Sequence, residues 1–159
     1  MTITIRAIAE RDRDALVELL QTDGTFNADE IKVALELIDD AIAGSDDYWA
    51  WVAEHPDVDV PLAGYICYGP TPMTESTYDL YWIVAHTRAR GRGVAGALIR
   101  HMETDLRGRG GTGVRVETSQ TEGYGAARRL YEKWNYPEAS RLVDFYKPGD
   151  DLITYYKRL

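Results

Sequence analysis

The chain has 159 residues, 45% of them apolar and 28% charged, which suits one globular domain over residues 1–159 with a sizeable buried core. Its formal net charge of −8 argues against general nucleic-acid binding, which needs a basic face, and tolerates a cationic small molecule. A single cysteine, Cys67, excludes an internal disulfide framework. No signal-peptide pattern and no apolar run of the ~20 residues that span a bilayer are present, so a cytoplasmic protein with no membrane partner is expected.

In chain order, residues 2–8 alternate and are β-rich, and read as a strand. Ala15, Leu16, Leu19 and Leu20 then recur at helical spacing. A second helix carries the strongest start signal: Asn27 can cap, Glu30 stands three residues on, and Phe26 with Ile31 can form a hydrophobic staple. Gly44 ends it. Residues 48–55 and 61–68 read as a hairpin, and Gly69-Pro70-Thr71-Pro72 breaks the chain after it. Leu80 to Ala85 form a near-continuous apolar strand, followed by an Arg- and Gly-rich loop over 86–93. An amphipathic helix opens next, with Val94, Ala97, Leu98, Met102 and Leu106 on or beside one face. Residues 114–119 make a parallel partner strand by a right-handed crossover. A fourth helix is expected over 122–135 with Ala126, Ala127, Leu130 and Trp134 inward, and residues 139–146 and 152–156 form a closing hairpin. The class is mixed α/β.

The loop before the third helix has a clear physical use. Gly91 and Gly93 leave the backbone free to adopt positive φ. The amides of Val94, Ala95 and Gly96 fall in the first helical turn, where they lack intrahelical partners. With the helix dipole they make a site for an anion such as a pyrophosphate, and Arg88, Arg90 and Arg92 add positive charge. Gly91-x-Gly93-x-x-Gly96 also spells the dinucleotide fingerprint, with Glu117 near the expected acidic position. Against that, residues 86–90 separate the glycines from the strand, and only about sixty residues follow, too few for repeated βαβ units. A loop that merely caps the helix explains the glycines but not the arginines.

Arg90-Gly91-Arg92-Gly93-Val94-Ala95 fits [Q/R]-x-x-G-x-[G/A] and resembles the signature of the GNAT acyltransferase superfamily. A second stretch, Tyr124-Gly-Ala-Ala127-Arg-Arg-Leu-Tyr131-Glu-Lys-Trp-Asn135-Tyr136, is similar to the family's N-x-x-A-x-x-x-Y-x-x-x-G-[FY]. The resemblance implies a central twisted mixed sheet of about seven strands flanked by four helices. It implies acetyl-CoA as cosubstrate, with backbone groups of Ile83, Val84 and Ala85 bonding the pantetheine and residues Arg90, Gly91, Arg92, Gly93, Val94, Ala95 and Gly96 holding the pyrophosphate. By the same match Tyr131 protonates the leaving thiolate, a role suited to a phenol of ordinary pKa near 10. Tyr124 stands where the family has Asn, which puts that pantetheine contact in doubt, and Asn135 replaces Gly at a helix end that Asn tolerates.

An attacking amine must lose a proton. Glu117 is the first candidate base, Asp79 the second and His86 the third, although Glu117 can equally pair with Arg115. The early helices would border the acceptor, with residues 22–27 as a substrate-facing loop. Tyr65, Tyr68, Tyr78, Tyr81, Trp82, Tyr124 and Tyr146 are candidates for aromatic walls, and Cys67 reads as a core residue. No metal-ligand spacing occurs. The function implied is acetyl transfer to a primary amine of a small molecule. Protein N-terminal or lysine acetylation and a non-catalytic CoA-binding module are the alternatives. A homodimer through the closing hairpin is compatible with the family.

Overall fold

The computed structural model describes residues 2–159. Its strands are β1 (Thr4–Ala7), β2 (Trp49–Glu54), β3 (Gly64–Pro70), β4 (Thr77–Ala85), β5 (Gly113–Ser119), β6 (Glu138–Lys147) and β7 (Asp150–Arg158). Four helices accompany them: α1 (Arg13–Asp23), α2 (Ala28–Ile42), α3 (Val94–Gly108) and α4 (Gly125–Lys133). The seven strands form one mixed sheet in the order β1-β2-β3-β4-β5-β7-β6, and only β4 and β5 run parallel. One parallel pair in an otherwise antiparallel sheet is incompatible with the doubly wound dinucleotide fold.

Two apolar layers cover the sheet. Leu16, Leu19 and Leu20 of α1 and Ala34 and Ile38 of α2 pack on Val52, Tyr65, Cys67 and Val84. Leu98, Ile99, Met102 and Leu106 of α3, with Tyr131 of α4, pack on Ile66, Leu80, Val114, Val116 and Ile153 of the opposite face. Along β4 the two faces do not follow strict alternation, because Leu80 and Val84 point into different layers. The cause is a bulge: Cys67 pairs with Trp82 but Tyr68 with Leu80, which leaves Tyr81 as an extra residue. A bulge bends its strand and sharpens its twist. Pairing between β4 and β5 stops just before it. Thr77, Tyr78 and Asp79 face Gly113, Val114 and Arg115, and beyond these rungs the two strands have no register.

Helix ends follow local chemistry. The Glu30 amide donates to Asn27 Oδ1 at 2.8 Å and the Asn27 amide to Glu30 Oε1 at 3.2 Å, completing the expected capping box of α2. Asn135 takes φ 61°, as its position after α4 requires. The Tyr136 amide donates to Tyr131 O at 2.8 Å and the Asn135 amide to Glu132 O at 3.1 Å, the paired bonds of a Schellman cap. That cap brings the Tyr131 and Tyr136 rings to 6.2 Å.

Several expectations need correction. Residues 122–124 form a 3-10 turn rather than the first turn of α4, and the shift in phase exposes Ala126 and buries Tyr131. β3 continues through Pro70, where Thr71 N closes the turn onto Thr77 O at 2.9 Å. β6 is exposed along its whole length.

Beneath α3, the buried Glu103 accepts from Tyr136 Oη at 2.9 Å and from Lys157 Nζ at 2.7 Å, tying α3 to the chain end of α4 and to β7. Replacing it with alanine leaves Tyr136 Oη without this partner and the Lys157 ammonium with only the Trp134 carbonyl at 2.9 Å, so Glu103→Ala is expected to cost about 2–4 kcal/mol, read as a lowered urea midpoint at unchanged m value.

Candidate active site

The gap between β4 and β5 is the centre of the site. Its apex is the last paired rung, where Arg115 donates bidentately to Asp79, Nε to Oδ1 at 2.7 Å and Nη2 to Oδ2 at 3.1 Å. Asp79 is buried, so its carboxylate serves as a clamp on the two strands and is occupied as a base. Glu117 lies two residues further on the same face, half exposed, with an oxygen 3.6 Å from Arg115 Nη1.

The open edge of β4 is narrower than the sequence suggested. The His86 amide donates to Ala63 O at 2.8 Å, on the β3 side. By alternation the backbone groups of Val84 therefore face β3, and those of Ile83 and Ala85 face the gap.

After β4 the chain makes a 3-10 turn over Thr87–Ala89, capped by His86 Nδ1, which accepts from the Arg88 amide at 3.1 Å. His86 is buried and occupied in this cap rather than poised over the gap. Gly91 and Gly93 take φ of 74° and 80°, and a Cβ at either position would meet nothing within 4 Å, so their requirement is conformational. Intrahelical bonding of α3 starts with Ala97 N donating to Gly93 O. Among the described residues, no amide from 91 to 96 donates to a protein acceptor with good geometry, so the loop offers a run of free N–H groups at a helix start. Gly96 has a second reason to be glycine: a Cβ there would lie 2.9 Å from the Trp134 ring, so α3 and α4 approach closely at that point.

The three arginines divide. Arg88 donates to Asp59 O at 3.0 Å and Arg90 pairs with Asp23 at 3.1 Å, while Arg92 makes no ion pair or hydrogen bond among the described residues. Charge pattern along the sequence does not distinguish them, because both partners are more than twenty residues away.

Tyr131 is buried against the rings of Tyr136 and Tyr155, the latter at 5.4 Å, and burial pushes its phenol well above the ordinary tyrosine range. The group is protonated at neutral pH. Tyr124 does not face α3: it heads α4, donates its hydroxyl to Glu30 of α2, and lies edge-on to Phe26 at 6.2 Å. Phe26 also meets Trp82 at 5.2 Å. Partial burial raises the Tyr146 phenol, and the negative charges of Glu117, Asp150 and Glu30 act on it in the same direction. Of the other aromatic candidates, Tyr81 joins Tyr48 at 5.3 Å on this face, Tyr65 is fully core, and Tyr68 and Tyr78 belong to the opposite layer beside Trp49. Glu30, Phe26 and Asp150 had no sequence signal beyond a helix cap and a turn; tertiary contact alone brings them to the mouth of the gap.

A mixed sheet split between two parallel neighbours, with free amides at the following helix start, defines an acyltransferase class of fold. The comparisons agree. The model of the Acetyltransferase (GNAT) family matches residues 13–136, and this chain belongs to that family. A GNAT-family structure from Desulfovibrio desulfuricans is 34% identical, with a TM-score of 0.90 and 99% of both chains covered. The ribosomal-protein-S18-alanine N-acetyltransferase of Escherichia coli shares 18% identity at a TM-score of 0.78, covering 99% of this chain and 94% of the other. The aminoglycoside 6'-N-acetyltransferase of Enterococcus faecium shares 18% at 0.75, covering 98% and 96%. No curated protein sequence matches the chain. Among the described residues no helix is long and apolar enough to cross a membrane.

Cys67 is fully buried, and burial pushes its thiol up to about 12. The thiolate fraction at pH 8 is then about one part in ten thousand. Native protein is expected to resist a thiol-reactive dye at pH 8 and to label fully after unfolding in urea.

Proposed function

We propose that this protein is a single-domain, acetyl-CoA-dependent N-acetyltransferase that acts on a primary amine of a small molecule in the cytoplasm. The observation that carries the reading is the gap between β4 and β5, flanked by the free edge of Ile83 and Ala85 and by the free amides at the start of α3. A neighbouring fold, an aminoglycoside 6'-N-acetyltransferase, is described in complex with coenzyme A, which supports the same guest here.

In this reading Ile83 and Ala85 extend the sheet with the pantetheine, and residues 90–96, with the side chains of Arg90 and Arg92, hold the pyrophosphate. The amine nitrogen attacks the thioester carbon, forming the C–N bond as the C–S bond breaks. Glu117 accepts the proton from the amine, and Tyr131 gives its phenolic proton to the departing sulfur. A tyrosine is protonated at neutral pH with or without burial, and the rise that burial imposes makes Tyr131 a weaker acid, so the donor role draws on its match to the family's tyrosine and not on its acidity. The aromatic wall of Phe26, Trp82 and Tyr124, with the Glu30 carboxylate bonded to Tyr124, favours a cationic amine acceptor. Residues 23–27 cross the mouth of the gap, which favours a small acceptor over an extended peptide.

Calorimetric titration with acetyl-CoA, with NADH as control, tests the cosubstrate. Micromolar binding of acetyl-CoA alone is the expected result, and thiol release on an amine panel then tests turnover. NADH binding without acetyl-CoA binding would overturn the reading. Tyr131→Phe is expected to lower kcat by roughly 100-fold while the acetyl-CoA Kd stays unchanged. Gly93→Val, which strains a left-handed residue and crowds the phosphate approach, is expected to weaken acetyl-CoA binding at least ~100-fold. Retained affinity in that variant would sink the assignment of the loop.

A further inference from the structure

The segment between α1 and α2 touches both sides of the gap. At one end Asp23 closes on the loop after β4: Arg90 Nη2 lies 3.1 Å from Asp23 Oδ2, with the Asp23 side chain 9% exposed and the arginine 56%. The other Asp23 oxygen accepts from the Thr25 amide at 3.2 Å, so the same carboxylate shapes the segment's own turn. At the far end Thr25 Oγ1 donates to Gly123 O at 3.3 Å, on the 3-10 turn that follows β5. Between them Phe26 rests edge-on against Trp82, the residue beside the β4 bulge. Gly24, at φ 78°, ends α1 and lets the chain turn across. Residues 23–27 are thus a strap fastened to the elements that follow each of the two splayed strands.

The fastening at Asp23 uses an arginine that the phosphate-binding loop also supplies. We infer that Asp23 is a positioning residue: it latches Arg90 to the strap in the empty protein, and an entering pyrophosphate releases the strap by taking Arg90. This rests on the acetyl-CoA reading of the loop. The competition is unequal. An ion pair with one solvent-exposed partner is weak, whereas a pyrophosphate at the free amides of residues 91–96 offers Arg90 several charged oxygens in a site already shaped for anions. Once Arg90 leaves, the strap loses its ion pair to the loop after β4 and is held by the exposed Thr25 bond to Gly123 and by the edge contacts of Phe26 with Trp82 and Tyr124. Filling the phosphate end of the site therefore loosens the cover over the acceptor end. The coupling runs through one side chain with two mutually exclusive partners, which is the physical content of a linkage between sites.

Hydrogen exchange on the full-length protein tests the latch, with coenzyme A as the probe. In wild type, saturating coenzyme A is expected to speed exchange of amides 24–27 about tenfold, although ligand binding ordinarily slows exchange near a site. Asp23→Asn keeps an oxygen for the Thr25 amide but presents no carboxylate to Arg90. In that variant the same amides are expected to exchange fast with and without coenzyme A, and coenzyme A is expected to bind about three- to fivefold more tightly. The exchange arm separates release of the strap from mere loss of a repelling charge. Thr25→Val loosens the strap at its other end and is expected to leave coenzyme A affinity unchanged. Unchanged or slowed exchange in liganded wild type, or an Asp23→Asn variant of wild-type affinity, overturns the latch and leaves the acetyl-CoA reading intact. If wild type binds no coenzyme A at all, both fall together.

Discussion

Two parallel strands that pair for three residues and then part are the constraint on which everything else here depends. Asp79 and Arg115 form the last rung, and their bidentate bond holds the apex while the Tyr81 bulge turns the rest of β4 away. A parallel ladder that ran on would consume the edge of Ile83 and Ala85 and leave no cleft. The same bulge moves Trp82 and Val84 to the face that carries α1 and α2, so one extra residue both opens the gap and furnishes part of its wall.

Around that gap the fold separates its tasks by face. The α3 and α4 layer supplies rigid packing: the Gly96 contact with Trp134, the Schellman cap that sets Tyr131 against Tyr136, and the buried Glu103 network. The α1 and α2 layer is tied to the mouth of the gap by weaker, more exposed bonds, such as those of Asp23 and Thr25. Strong bonds thus hold the frame, and weak ones hold the segment lying across the opening. Local stability is low where function needs movement, and the distribution of contacts here follows that rule.

The early helices were readable in detail because capping and periodicity are local: Asn27 and Glu30 are three residues apart and satisfy each other's backbone. The loop over 86–93 was readable for the same reason, since positive φ at Gly91 and Gly93 follows from residue type and spacing. Asp79 and Glu117 were harder. Both carry the right chemistry for a base, but only the β4–β5 register reveals that Arg115 engages Asp79 fully and Glu117 only at 3.6 Å. The aromatic residues were least readable, because a bulge inverts which of them share a face and no sequence period announces a bulge.

By itself, then, the sequence determined the element order, the family and the anion-accepting start of α3, all set by bonds between residues within a few positions of one another. Only the tertiary structure decided where the sheet splits, which arginine is free, and that Glu30, Phe26 and Tyr124 meet beside Trp82. Those outcomes depend on contacts between residues far apart in the chain, 94 positions for Tyr124 with Glu30, whose geometry is fixed by the packing of helices on a bulged and twisted sheet.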